Sequence, residues 1–189
     1  LGKAVEAARP HWSPMPVLGF RAWAPADGGL RGARVVWESP RLTARCTHGQ
    51  VPDDRDIPHS DGRCGRLGCG VYAVKDPRWL LSETLRSRGS AVFGVVMLSG
   101  KVVEHERGYR AAAAEVVAVA ARHRGKIWAS SDAACVCRLF ADPAATIGSL
   151  EGTPSGTPES DIGWRIIDSR EDTIGYLADQ ARRVKRQWT

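Results

Sequence analysis

Phenylalanine, tyrosine and methionine are scarce in this chain, at three, three and two residues in 189. A core built from such a sequence has to draw on aliphatic side chains and on tryptophan, of which there are seven. No apolar run approaches the ~18 residues that a membrane-spanning helix needs, so no membrane association is expected. The first residues, LGKAVEAARPHWSP, lack the apolar stretch of a secretory signal, and the expected location is cytoplasmic. Also missing are a Walker loop, a Gly-x-Ser-x-Gly elbow, a dinucleotide fingerprint and a zinc-protease helix. The enzyme classes that depend on those motifs are therefore not indicated.

What is present is ordinary globular composition, with 43% hydrophobic and 25% charged residues, enough for one domain with its own core. The formal net charge is +6. A basic balance suits a partner that carries phosphates. Of the 27 basic residues, 22 are Arg and five are Lys, a bias that GC-rich coding also produces.

Patterning predicts strands over Leu18–Ala24, Arg34–Trp37, Leu42–Cys46, Val71–Lys75, Ala91–Glu106, Lys126–Ser130, Ala134–Phe140 and 163–168. Tyr109–Arg122 is ambiguous. Its alanines favour helix, its valines tolerate strand, and we read it as a strand that turns helical at its end. Ser99-Gly100 is a candidate bulge and Arg107-Gly108 a tight turn. Asp76 at an N-cap with Pro77 in the first turn predicts a helix to about Arg88. A second helix is expected over Glu171–Trp188, acidic at its start and basic at its end. A short N-terminal helix is expected around Lys3–Ala8. Residues 1–17 read as an arm, 18–150 as the main β-rich domain, and 151–163 as a flexible loop. Residues 164–189 read as a strand and basic helix packed on the same domain.

Five cysteines without a secretory signal point to reduced thiols rather than disulfides. The stretch 47–70 is rich in Gly, Asp and Pro, and too long to be structureless unless something organises it. Cys46, His59, Cys64 and Cys69 offer a four-ligand set for structural zinc, with His48 as a spare. The alternative is a set of loop cysteines without metal. Cys135 and Cys137, on a strand, would share one face as small core residues.

Glu104, His105 and Glu106 form the densest polar cluster. Paired carboxylates with a histidine can do acid–base work. The alternative is a charged hairpin tip held by ion pairs to Arg107 and Arg110. Candidate phosphate contacts are Arg107, Arg110, Arg122, Arg124, Arg182, Arg183, Lys185 and Arg186. Tyr109 or Trp128 would stack on a base. Trp23 and Trp37 are expected in the core and Trp188 at the surface.

The segments GFRAW (19–23), Cys46, His59, Cys64, Cys69-Gly70-Val71-Tyr72-Ala73 and VFGVVMLSGKVVEHERGYRA (92–111) together resemble a domain of uncharacterised actinobacterial and phage-borne proteins. The likeness covers roughly residues 18–120. It implies that the Cys/His set and the Glu-His-Glu segment belong to one domain, and it implies no activity. The wider Cys64-x4-Cys69 spacing departs from the pattern and leaves one ligand open. The strand content is also similar to small β-barrel nucleic-acid readers of the PUA or ASCH type, an analogy of fold only.

The combined expectation is an α+β fold. A curved mixed or antiparallel sheet, or a small barrel, carries a zinc-organised loop and flanking helices. Three functions follow from the residues: a non-enzymatic module that binds nucleic acid, a protein-interaction scaffold, or a hydrolase using Glu104, His105 and Glu106. Mass spectrometry of the purified protein under native and denaturing conditions should find one zinc per chain. Cys64→Ser or Cys69→Ser should abolish it, whereas metal-free, freshly reduced protein would remove zinc from the account.

Overall fold

The computed structural model describes residues 10–11, 15–33, 35–44, 69–84, 91–151 and 163–188. The long paired strands β7 (Ala91–Glu104) and β8 (Gly108–His123) form its spine. Along the outer edge of β7 run β2 (Val17–Ala26) and the two-residue β1 (Pro10–His11). Along the outer edge of β8 lie, end to end, β6 (Val71–Val74), β5 (Arg41–Thr43) and β9 (Lys126–Ser130). The short β10 (Arg165–Ile167) adds to β9. A flap, β3 (Gly29–Arg31) and β4 (Val36–Trp37), extends from β2. Every pairing is antiparallel.

The fold class is thus α+β with a curved antiparallel sheet. The barrel alternative does not hold. The sheet curls until Phe20 pairs with Val74, the one ladder pair between β2 and β6 among the described residues. The edges at β1 and β10 stay open. Two irregularities supply the curl. One register shift lies between Val95 and Val96, and another between Ser99 and Val102, where Gly100 has φ 71°. The bulge expected at Ser99-Gly100 is therefore present, and a left-handed backbone there favours glycine.

Both faces of the sheet are buried. One carries Trp23, Val92, Val96, Val119 and Trp128, and is covered by α2 (Ala133–Ala141), α3 (Pro143–Glu151) and the flap. The other carries Phe20, Phe93, Val95, Ala118 and Ala120. It is covered by α1 (Pro77–Thr84) and α4 (Arg170–Arg186), which bring Leu81, Tyr176 and Leu177. Trp23, Trp37 and Phe140 meet at 5.3–6.2 Å between ring centroids.

Ala134–Phe140 is helix, not strand. Asp132 accepts the backbone N–H of Cys135 at 2.9 Å, and the buried residues 135, 136, 139 and 140 recur at helical spacing. Cys135 and Cys137 consequently do not share a face: Cys135 is buried and Cys137 exposed. A further helix, α3, starts at Asp142-Pro143, with Asp142 accepting from the Ala145 N–H at 2.9 Å. The two helices are bent by 118°, and no single helix among the described residues is long and apolar enough to cross a membrane. Tyr109–Arg122 is strand to its end, without the helical close. The strand expected over Arg34–Trp37 starts at Val36, and that over Leu42–Cys46 is seen as Arg41–Thr43. Trp23 and Trp37 are core and Trp188 is exposed, as expected. The expected helix at Lys3–Ala8, the end of α1 near Arg88, and most of the 151–163 loop lie outside the described residues.

Ser169 caps α4, accepting from the Asp172 N–H at 3.0 Å. Ser169→Ala should lower stability by about 1 kcal/mol. Phe140→Ala, which empties the aromatic junction, should lower it by about 3–5 kcal/mol in denaturant titration.

Candidate functional site

The β7–β8 hairpin end gathers most of the polar chemistry. His105 N–H donates to Gly108 O at 2.8 Å, closing a tight turn through Glu106 and Arg107. Lys75 N–H donates to Arg107 O at 3.0 Å, tying the end of β6 to that turn. The approach is close: a Cβ on Gly108 would stand 2.3 Å from the Ala73 carbonyl oxygen. Glycine is required there for β6 to pair with β8.

Lys75 is the organising cation of this end. Its Nζ lies 2.5 Å from Glu104 Oε1 and 5.4 Å from the Tyr109 ring centroid. The hydrogen bond to Glu104 raises the Lys75 pKa. Burial, then the Glu104 charge, raises that of Tyr109. His105 is pushed down, by burial first and then by Arg110 and Lys75. Lys75 is a partner of Glu104 that the sequence reading did not name. Glu106 sits exposed in the turn, so strand alternation does not set its direction relative to Glu104.

Two aromatic side chains stand at the surface here. Trp79, on α1, is 39% exposed with the Arg107 guanidinium 5.8 Å from its ring centroid. Tyr72, on β6 opposite Arg110, is 42% exposed. A cleft of about 300 Å³ is lined by Met15, Val17, Val102, Glu104, Tyr109 and Lys185, among others. Its floor is apolar and its polar groups converge from β7, β8 and α4.

Glu104, Tyr109 and Lys185 are therefore brought together from distant segments, with Arg107 and Arg110 on the adjoining hairpin. The other candidates are elsewhere. Arg122 lies far along β8, and Arg124 occupies the β8–β9 turn, 3.3 Å from Glu151. At ~3.3 Å per residue, that turn is roughly 40 Å from Arg110 measured along the strand. Arg182 pairs with Asp179 at 2.7 Å on the exposed side of α4, where Arg183 and Arg186 also stand. Trp128 is no stacking platform. It is 2% exposed, because it lies on the face of the sheet that α2 and α3 cover. Tyr72, Lys75 and Trp79 are site residues that the sequence reading did not single out. Their signal was an aromatic and a cation on VYAVK, one turn ahead of a tryptophan.

Of the zinc set, Cys46, His59 and Cys64, with the spare His48, lie outside the described residues. Cys69 is buried just before β6. Among the described residues no three His, Cys, Asp or Glu side chains are grouped for a metal. No family model, curated protein or solved structure matches the chain.

The His105 titration gives a check on this electrostatic arrangement. Its midpoint by proton NMR should fall below 6.5, and Arg110→Ala should move it upward. The unfolded chain takes up this proton first. The stability held by neutral His105 is thus present above pH 6.5 and lost as pH falls through the folded midpoint.

Proposed function

We propose that this chain is a non-enzymatic binding module that holds a single-stranded nucleic acid across the β7–β8 hairpin end. The observation that carries the reading is Trp79, solvent-exposed with the Arg107 guanidinium over its ring. Tyr72, on β6, is a second exposed aromatic. Aromatic faces stack on any base, and guanidinium and ammonium groups meet the phosphates. Arg107, Arg110 and Lys185 supply that charge. The cleft takes a base or sugar, with the Glu104 carboxylate as acceptor and Lys185 at its rim. Glu104, tied to Lys75, serves recognition in this reading rather than hydrolysis. Zinc at Cys46, His59, Cys64 and Cys69 would anchor the segment leading into β6, the strand that carries Tyr72 and, at its end, Lys75.

Fluorescence anisotropy with a labelled single-stranded oligonucleotide tests this. Binding should weaken steeply with salt, with a log–log slope of about −2 for three phosphate contacts. Arg107→Ala should reduce that slope by about 0.7, and Trp79→Ala should weaken binding by about 1–3 kcal/mol. Affinity that ignores salt, or that survives both substitutions, defeats the proposal. A stoichiometric protein complex insensitive to both changes would favour the interaction-scaffold reading instead.

A further inference from the structure

The cleft that holds Glu104, Tyr109 and Lys185 carries a definite pattern of polar groups. Glu104 follows Val102 at the strand period of two and pairs in register with Tyr109, so carboxylate, valine and phenol ring share one face. Val102 is buried there, and with Met15 and Val17 it makes the walls apolar. The Glu104 side chain is 41% exposed, so a ligand can reach it. Lys185 comes in from α4 at an exposed position. The volume of about 300 Å³ lies at the lower end for small-ligand sites. It suits one flat ring system rather than a stack of several.

The carboxylate is the group that can discriminate. It only accepts, through two oxygens with about four lone-pair positions, and the bond from Lys75 Nζ to Oε1 occupies one of them. That bond also fixes the carboxylate and balances its charge, so an anionic ligand is not repelled as it would be by a lone Glu. The charge then left among the lining residues is the Lys185 ammonium. Two oxygens side by side take two parallel N–H donors best. Guanine alone of the common bases offers that pair on its pairing edge, as N1–H beside the N2 amine. Adenine and cytosine set a ring acceptor next to their amine, which a carboxylate repels. Uracil and thymine set one N–H between two carbonyls.

We propose that this cleft reads guanine. N1–H and the N2 amine donate to the two Glu104 oxygens, the ring lies between the apolar walls and Tyr109, and Lys185 meets the phosphate. A free guanine nucleotide and a guanine within a strand present the same chemistry. Delivery of the base by a strand rests on the function proposed above.

Fluorescence anisotropy of the full chain with labelled all-thymidine strands carrying one central guanine, adenine or hypoxanthine tests it. Guanine should bind about 10–100-fold more tightly than adenine. Hypoxanthine, which lacks only the N2 amine, should bind about tenfold more weakly than guanine. Glu104→Gln should bring guanine down to the level of adenine. The comparison of the three bases on the unaltered chain needs no variant to fold. Titration calorimetry with 5′-GMP against 5′-AMP separates the two sources, and Lys185→Ala should erase the advantage of GMP over guanosine. Preference for GMP over AMP that depends on Glu104, with no strand bound, supports the guanine site and defeats the strand reading. Equal, salt-sensitive binding of all three strands overturns the guanine site and leaves the strand reading standing. A guanine preference that survives Glu104→Gln overturns it too, and no binding of any strand or nucleotide defeats both.

Discussion

Twelve residue pairs join β7 to β8, and the rest of the molecule is arranged around that ladder. Its pairs match large against small: Phe93 with Ala120, Val95 with Ala118, Val92 with Ala121, Leu98 with Ala114. The two faces are bulky along β7 and shallow along β8, so helices can seat over the alanine rows. Tyr176 and Leu177 of α4 share a cluster with Ala118 and Ala120, and Leu139 and Phe140 of α2 share one with Ala114 and Ala121. An alanine-rich strand has poor intrinsic propensity. Its partner supplies the volume it lacks, and a β-branched and aromatic β7 makes strand the better state for both.

The same ladder explains where the chemistry collects. Along most of its length both faces are covered, and few polar side chains fit. At the hairpin end β6 lies along β8, α1 and α4 bring Trp79 and Lys185, and charged and aromatic residues gather near one turn. Lys75 is central because it touches the carboxylate of β7 and the ring of β8 together. The opposite end, with His123 and Arg124 gathered on Glu151, is closed by its own ion pairs. Among the described residues the basic side chains do not form one uniform surface.

Much of the strand framework was legible because β-branched runs and Gly or Pro punctuation coincide with strand ends. Lys126–Ser130 and the bulge at Ser99-Gly100 are examples. Residues 134–140 misled, since Cys, Val and Phe suit a strand. The deciding signal was Asp132, a cap that fixes helical periodicity from 135 onward. Asp142-Pro143 repeats the Asp76-Pro77 signature that marked α1, yet lay in a segment too apolar to look like a helix start. The candidate site was legible in Glu104, Tyr109 and Arg107 because polarity broke an apolar run. Lys185 could be named but not placed, since its approach depends on how α4 crosses the sheet. Arg21 was hidden: an arginine in GFRAW reads as the polar phase of an alternating strand, whereas its guanidinium lies over the Trp37 ring and donates to the Tyr72 carbonyl oxygen.

The sheet's outer margins have a consequence of their own. One margin is β1, two residues long and starting at a proline that has no N–H to offer. The other is β10, three residues long with an arginine at its start. A strand from a neighbouring molecule would find at most one or two rungs to add to. The long, sticky β7 and β8 are sealed inside these short margins. At these two margins the described backbone offers a neighbouring strand little to pair with.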